Sequence, residues 1–295
     1  MSRIHPAPLI FLMAATSTSM KAATSSCAAC ANSFKKTAAS ERPPGKTRFF
    51  MNEDRISRWL PSPPREGALP LFCLSHAGGG VSLFRDWQRL LAAPFQVCPI
   101  ALPGREKRLA EPPVTSLQEL VEVLSSLIAP YAQRDFVLYG HCFGASLAFE
   151  VALALQGQGL IPRLLAVSGS RAPHCPPPFR ISSLPQEEFV DALRRFRLTP
   201  ETVLNIPDLL ALFLPSLRAD FALDEELVYE GPRPALAAPI LVMHGSRDTI
   251  IPEETARKWA KYSTRSCKFV RCEGEHVFFS SDPSVLLRHI TTELS

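Results

Sequence analysis

Between Phe136 and Glu150 the chain reads FVLYGHCFGASLAFE, a short apolar run closed by Gly140, then Cys142, then Gly144 opening a helix-forming stretch. An apolar strand that passes straight into a helix through Gly-x-Cys-x-Gly brings the two elements into close contact. Glycine flanks permit that contact, and the turn presents the middle side chain at the strand's C-terminal end. Such a turn needs a sheet with helices packed on its faces, so this stretch constrains the fold more than any other.

The surrounding pattern agrees. The runs LPLFCLS, FQVCPIALPG, DFVLYG, RLLAVSGS, APILVMHGSRD and CKFVRCEG read as strands, and SLQELVEVLSSLIAPYA, ASLAFEVALALQGQG and SVLLRHITTEL as helices. In the first of these helices Leu117, Leu120, Val121, Leu124 and Leu127 recur at helical spacing. Continuously apolar strands alternating with helices predict an α/β fold, a mostly parallel central sheet flanked by helices on both faces. Ligands then bind in loops at the C-terminal ends of the strands. Residues of about 172–235 break the rhythm. They begin APHCPPPF and continue with helical stretches, which predicts a helical lid inserted over a pocket for an apolar or bulky substrate.

Charge and cysteine usage exclude several classes. Residues 1–50 hold seven Lys/Arg against the single acid Glu41, while the remainder holds 25 bases and 27 acids. The folding part is near neutral, so no nucleic-acid partner is expected. Residues 1–50, rich in Ala, Ser and Thr, are expected to be a disordered extension, with Met51 the expected true start of a domain running over 51–295. Their apolar run, Pro8 to Ala15, is too short to span a bilayer, and no membrane association is expected. The eight cysteines are scattered, several within strand runs, as expected of reduced thiols in a cytoplasmic protein. Cys27 and Cys30 form C-x-x-C without a second ligand pair, so no metal site is expected.

The chemistry rests on residues far apart in sequence. Cys142 stands where a nucleophile would, at the start of a helix whose positive end favours a thiolate. Asp248 follows the strand PILVMHG, and His276 follows the next strand in FVRCEGEHVFF. Nucleophile, acid and histidine in that chain order predict that Asp248 orients His276 and that His276 serves Cys142. SHAGGG, residues 75–80, follows the first core strand, and the N–H groups of Ala77 and Phe143 are the predicted oxyanion hole. Gly140 and Gly144 are the elbow glycines. His76 and His244 are expected to be structural. SHAGGG lacks the lysine and the spacing of a phosphate loop.

With these motifs in view, the chain resembles the stand-alone type II thioesterases of nonribosomal peptide and polyketide synthesis, within the α/β-hydrolase fold. The resemblance covers about residues 56–293. It rests on LFCLSHAGGG with FRDW, ALPGREKRLAEPP, LYGHCFGASLAFE, LPSLRADF, PILVMHGSRDTIIP and GEHVFF. It implies hydrolysis of acyl or aminoacyl groups held as thioesters on the phosphopantetheine of acyl or peptidyl carrier proteins. It implies no cofactor of the enzyme's own, and nothing demands more than a monomer. Cys142, Asp248 and His276 fall on the family's nucleophile, acid and base positions. Two features depart from the pattern: the N-terminal extension, and cysteine where most members carry serine.

Cysteine keeps an alternative open. Attack by a thiolate on a thioester exchanges one thioester for another, close to thermoneutral, so the acyl-enzyme stays able to acylate a second thiol. An acyltransferase shuttling groups between carrier proteins is therefore the competing expectation. A non-catalytic carrier-binding module with a decayed site is a third.

Overall fold

The computed structural model describes residues 52–196, 198–227 and 233–295. The expectations for residues 1–51, including Cys27 and Cys30, lie outside the described residues.

Six strands form one sheet: β1 (Leu69–Leu74), β2 (Phe95–Pro99), β3 (Val137–His141), β4 (Leu164–Ser168), β5 (Ile240–Gly245) and β6 (Cys267–Cys272). Their order is β2-β1-β3-β4-β5-β6 and every neighbouring pair is parallel. Around the sheet the described helices are α1 (Glu53–Trp59), α2 (Trp87–Leu90), α3 (Leu117–Ile128), α4 (Phe143–Gln156), α5 (Gln186–Arg195), α6 (Glu201–Leu204), α7 (Pro207–Glu226), α8 (Glu253–Arg257) and α9 (Ser284–Leu294).

Successive side chains of a strand point to opposite faces, so a strand buried on both must be apolar throughout. In β1, Phe72 and Leu74 enter a core shared with α3 and α4, while Leu71 and Cys73 enter one built from Trp87, Phe279 and α9. β1, β3, β4 and β5 are buried along their whole length. β6 departs from the sequence expectation. It is one of the two edge strands, and only Cys272 within it is fully buried, because no further strand among the described residues lies beside it and its outer side meets solvent.

Helix α4 is buried on nearly all sides, from Phe143 to Leu155, which explains a sequence without a polar face. Between β4 and β5 the chain inserts α5, α6 and α7, the helices expected there. No described helix is long and apolar enough to cross a membrane. Cys73, Cys98, Cys175 and Cys272 are buried free thiols, and Cys142 and Cys267 are partly exposed ones.

Candidate active site

The end of β3 dictates the position of Cys142. Its backbone is held at φ 55°, ψ −120°, a left-handed conformation that costs a non-glycine residue on the order of 1–3 kcal/mol and persists only when its surroundings enforce it. Those surroundings are visible. The Cys142 N–H donates to the Ser168 carbonyl at 2.9 Å. A Cβ on Gly140 would strike the Gly144 carbonyl, and one on Gly144 would strike the carbonyls of Leu74 and Ser75. The elbow glycines are therefore required by backbone crowding.

Asp248 and His276 arrive from the ends of β5 and β6. The side chain of Asp248 is wholly buried. Its Oδ1 accepts the N–H groups of Ile250 and Ile251 at 2.8 and 3.0 Å, and its Oδ2 accepts from His276 Nδ1 at 2.8 Å. Burial pushes this carboxyl upward, but the His276 bond and charge and the two backbone donors outweigh it, so it lies below its ordinary value. Burial likewise works against a charged His276. The bonds to Asp248 and to Cys142, with the charges on both, prevail and raise the imidazole to about 10. Nδ1 donates to the carboxylate, which leaves Nε2 for the sulfur. Asp248 and His276 are thus joined by a hydrogen bond, and Cys142 is the neighbour that helps raise the imidazole.

His244 stays behind the acid, its Nδ1 3.9 Å from Asp248 Oδ2, beyond hydrogen-bond reach. Burial holds it below its ordinary pKa, so it is neutral at pH 7.

The two predicted oxyanion donors lie on different elements. Phe143 opens α4 and has no acceptor within the helix. Ala77 is itself buried in the loop after β1, which turns through Gly78 at φ 73°. Helix α7 secures that loop. Asp220 Oδ2 accepts the Gly78 N–H at 2.7 Å, while Arg105 Nη1 and Nη2 donate to Asp220 Oδ2 and Oδ1 at 2.6 and 3.0 Å. Both charged side chains are almost completely buried. Arg105 belongs to PGREKR and Asp220 to LRADF. Their pairing across 115 positions is a relationship that sequence reading missed.

His141 was also missed. It ends β3 beside the nucleophile, its Nδ1 2.9 Å from Ser168 Oγ and its ring centroid 4.9 Å from that of His276. Burial, helped by the neighbouring histidines, keeps it well below its ordinary pKa and hence uncharged. His76 is held down to about 4, first by burial and then by His276 and Arg105. Of these three histidines only His276 is pushed toward the charged imidazolium, by Asp248 and Cys142, while burial keeps His76 and His141 neutral. The sole sequence signal for His141 was its place next to Cys142.

The cavity that touches Cys142 is small, about 20 Å³, and is closed on one side by Phe179, Leu198 and Phe221 from the insertion. A far larger groove, about 1170 Å³, runs between α1 and residues 105–111 and includes none of the three aligned residues. Chemistry, not volume, locates the site. Among the described residues no group of His, Cys, Asp or Glu is arranged to hold a metal ion.

This geometry has known counterparts. The thioesterase domain model matches residues 69–294, which is most of the chain. The chain belongs to the thioesterase family. Among its relatives, "Linear gramicidin dehydrogenase LgrE" of Brevibacillus parabrevis is 35% identical over 81% of this chain and 93% of its own length. "Thioesterase PikA5" of Streptomyces venezuelae is 32% identical over 81% of this chain and 85% of its own. The solved structure of YbtT, a type II thioesterase from the yersiniabactin NRPS/PKS biosynthetic pathway, superposes with a TM-score of 0.72 at 28% identity, covering 79% of this chain and 96% of that one. The thioesterase match spans both the elbow and His276, so the α/β-hydrolase fold expected from the sequence is the fold observed.

Proposed function

We propose that this thioesterase is a stand-alone type II enzyme that removes acyl or aminoacyl groups from the phosphopantetheine arms of carrier proteins in a nonribosomal peptide or polyketide pathway. The observation that carries the reading is the Asp248–His276 hydrogen bond beside Cys142, which stands at a strained elbow. The similarity to YbtT, a type II thioesterase of an NRPS/PKS pathway, and to the gramicidin S biosynthesis protein GrsT supports the pathway. No cofactor is needed beyond the carrier's own arm, and the site of action is the cytoplasm.

In this mechanism Cys142 Sγ, its proton passed to His276, attacks the thioester carbonyl. The developing oxyanion is received by the Ala77 and Phe143 N–H groups, fixed donors of the kind worth several kcal/mol in such reactions. As the carbon–sulfur bond to pantetheine breaks, His276 gives its proton to the departing thiolate, and the acyl group stays on Cys142. Neutral His276 then takes a proton from water as the water oxygen attacks the acyl carbon. Collapse expels the Cys142 thiolate and restores the ion pair. Asp248 remains ionised throughout and holds the ring in the productive tautomer. The insertion acts as the lid, since Phe179, Leu198 and, on α7, Phe221 close the cavity at Cys142.

Sulfur at position 142 favours one second reading, transfer of the acyl group to another carrier thiol instead of water. Intact-mass measurement with an acylated carrier tests both. An adduct on Cys142 that decays in buffer alone supports hydrolysis, whereas one that decays only after a second carrier is added supports transfer. If Cys142→Ala leaves turnover unchanged and no adduct forms, both enzyme readings fail and a carrier-binding module remains.

A further inference from the structure

His141 carries a cost that packing alone does not explain. It is fully buried, and its Nε2 makes no hydrogen bond among the described residues. A buried ring nitrogen without a partner is unfavourable, and a phenylalanine would fill similar space without one. The other edge of the ring is anchored. Nδ1 lies 2.9 Å from Ser168 Oγ on the neighbouring strand, and Ser168 Oγ lies 2.8 Å from the Tyr139 hydroxyl. All three residues are shielded from solvent, so the chain Tyr139–Ser168–His141 sets the plane of the imidazole from within the sheet.

That imidazole packs against His276. The two ring centroids are 4.9 Å apart, with the planes tilted by 48°. Gly169 lies against both rings: a Cβ there would come within 2.6 Å of His141 Cε1 and 3.0 Å of His276 Cε1. Phe279 meets the His141 ring edge-on at 5.0 Å, and His76 stands 5.9 Å away. Asp248 holds His276 at Nδ1 alone. A ring held at one atom can still swing about that bond, and the swing would carry Nε2 away from Cys142. A second contact on the ring removes this freedom. Among aromatic side chains, histidine alone combines a flat face with a δ-position nitrogen able to bond to Ser168.

The surroundings also require His141 to be uncharged. His276 and His76 face it from neighbouring loops and Tyr139 from its own strand, and a second cation beside the His276 imidazolium would repel it. Burial first, and then the two histidines, hold His141 well below its ordinary pKa.

We propose that His141 is a positioning residue for the base: anchored by Ser168 and Tyr139, its ring keeps the His276 ring turned toward Cys142 through both halves of the reaction. That role rests on His276 acting as the base of Cys142, and it adds a second support to the one Asp248 provides.

Two variants of the full chain separate the two ends of this support. His141→Asn keeps a polar group within reach of Ser168 and removes the ring face. Ser168→Ala keeps the ring and cuts its anchor, while the Ser168 carbonyl still accepts the Cys142 N–H. With an acylated carrier protein, kcat should fall by about 10²-fold in His141→Asn, the effect of a small misplacement of a catalytic group. It should fall by about two- to tenfold in Ser168→Ala, the scale of one neutral hydrogen bond. KM should change little in either. An NMR titration reads the same event without turnover. In His141→Asn the His276 pKa should drop from about 10, because the influence of Cys142 requires the ring to face it. Asp248, Cys142, His76 and His244, the other titratable groups around that ring, stay in place. A purely structural role would lower the melting temperature and move neither reading. Wild-type kcat in either variant, or a raised KM with unchanged kcat, would overturn the proposal, as would a His276 pKa that stays near 10. If His141→Asn does not fold, Ser168→Ala decides by the same readings. If the wild type shows neither turnover nor a Cys142 adduct by intact mass, the thioesterase mechanism fails, and the titration alone decides whether His141 positions His276.

Discussion

Asp220 Oδ2 accepts the Gly78 N–H at 2.7 Å, so a carboxylate on α7 fixes the peptide that immediately follows Ala77. Arg105 in turn holds that carboxylate with two bonds. Removing one member of a buried ion pair strands the other, at about 3–5 kcal/mol. Asp220→Asn should therefore lower thermal stability and, because it loosens an oxyanion donor, lower kcat more than it raises KM. Steady-state kinetics with a carrier-bound thioester, read beside a melting curve, checks both. A variant with raised KM and unchanged kcat would contradict the positioning role.

The pKa of His276 depends on its neighbour. Two of the influences that lift it to about 10 come from Cys142, so Cys142→Ala should bring it down toward its ordinary value. An NMR titration of the imidazole reads this. A pKa still near 10 in the variant would assign the whole shift to Asp248.

The same shift makes a stability prediction. A histidine near 6.5 when unfolded and about 10 when folded stabilises the native state fully below pH 6.5. That contribution is lost as pH rises through about 10. The stability difference between wild type and His276→Asn in urea should therefore be larger at pH 6 than at pH 10.5. A difference that grows with pH would contradict the assignment.

Asp248→Asn preserves shape but removes the charge that orients His276. Turnover should drop by about 10²- to 10⁴-fold, the usual scale of acid–base assistance, with KM little changed. The effect should be largest in deacylation, where neutral His276 must activate water, and rapid-quench measurement of acyl-enzyme accumulation would reveal it.

Gly144→Ala would drive a methyl group into the carbonyls of Leu74 and Ser75. Backbone cannot yield as a side chain can, so the loss should reach the upper range of overpacking, about 3 kcal/mol or more. Thermal unfolding measures it, and a neutral substitution would mean that β1 and α4 can separate without cost.

Much of this site was legible because each catalytic candidate follows an apolar strand, and parallel topology gathers strand ends on one edge. Cys142, Asp248 and His276 could be placed by chain order and local pattern. Arg105 with Asp220, and Arg171 with Asp224, could not be paired that way. A lone arginine in a loop and an aspartate on a helix read as solvated groups until the fold removes water from around them. His141 was hidden for a different reason. Its role comes from the facing ring of His276, 135 positions later in the chain and three strands away across the sheet. The exposed character of β6 followed from its place at the sheet edge, which its own residues do not state.

The Arg105–Asp220 pair also limits how this molecule can be rebuilt. A chimera that exchanges α5–α7 for the corresponding helices of a relative would import a new wall for the acyl group. It would also detach the loop at Gly78 unless the imported helix carried a carboxylate matched to Arg105. Acyl preference and catalytic competence are thus inherited together, and the smallest portable unit is the helical insertion plus the arginine-bearing loop at residues 103–108.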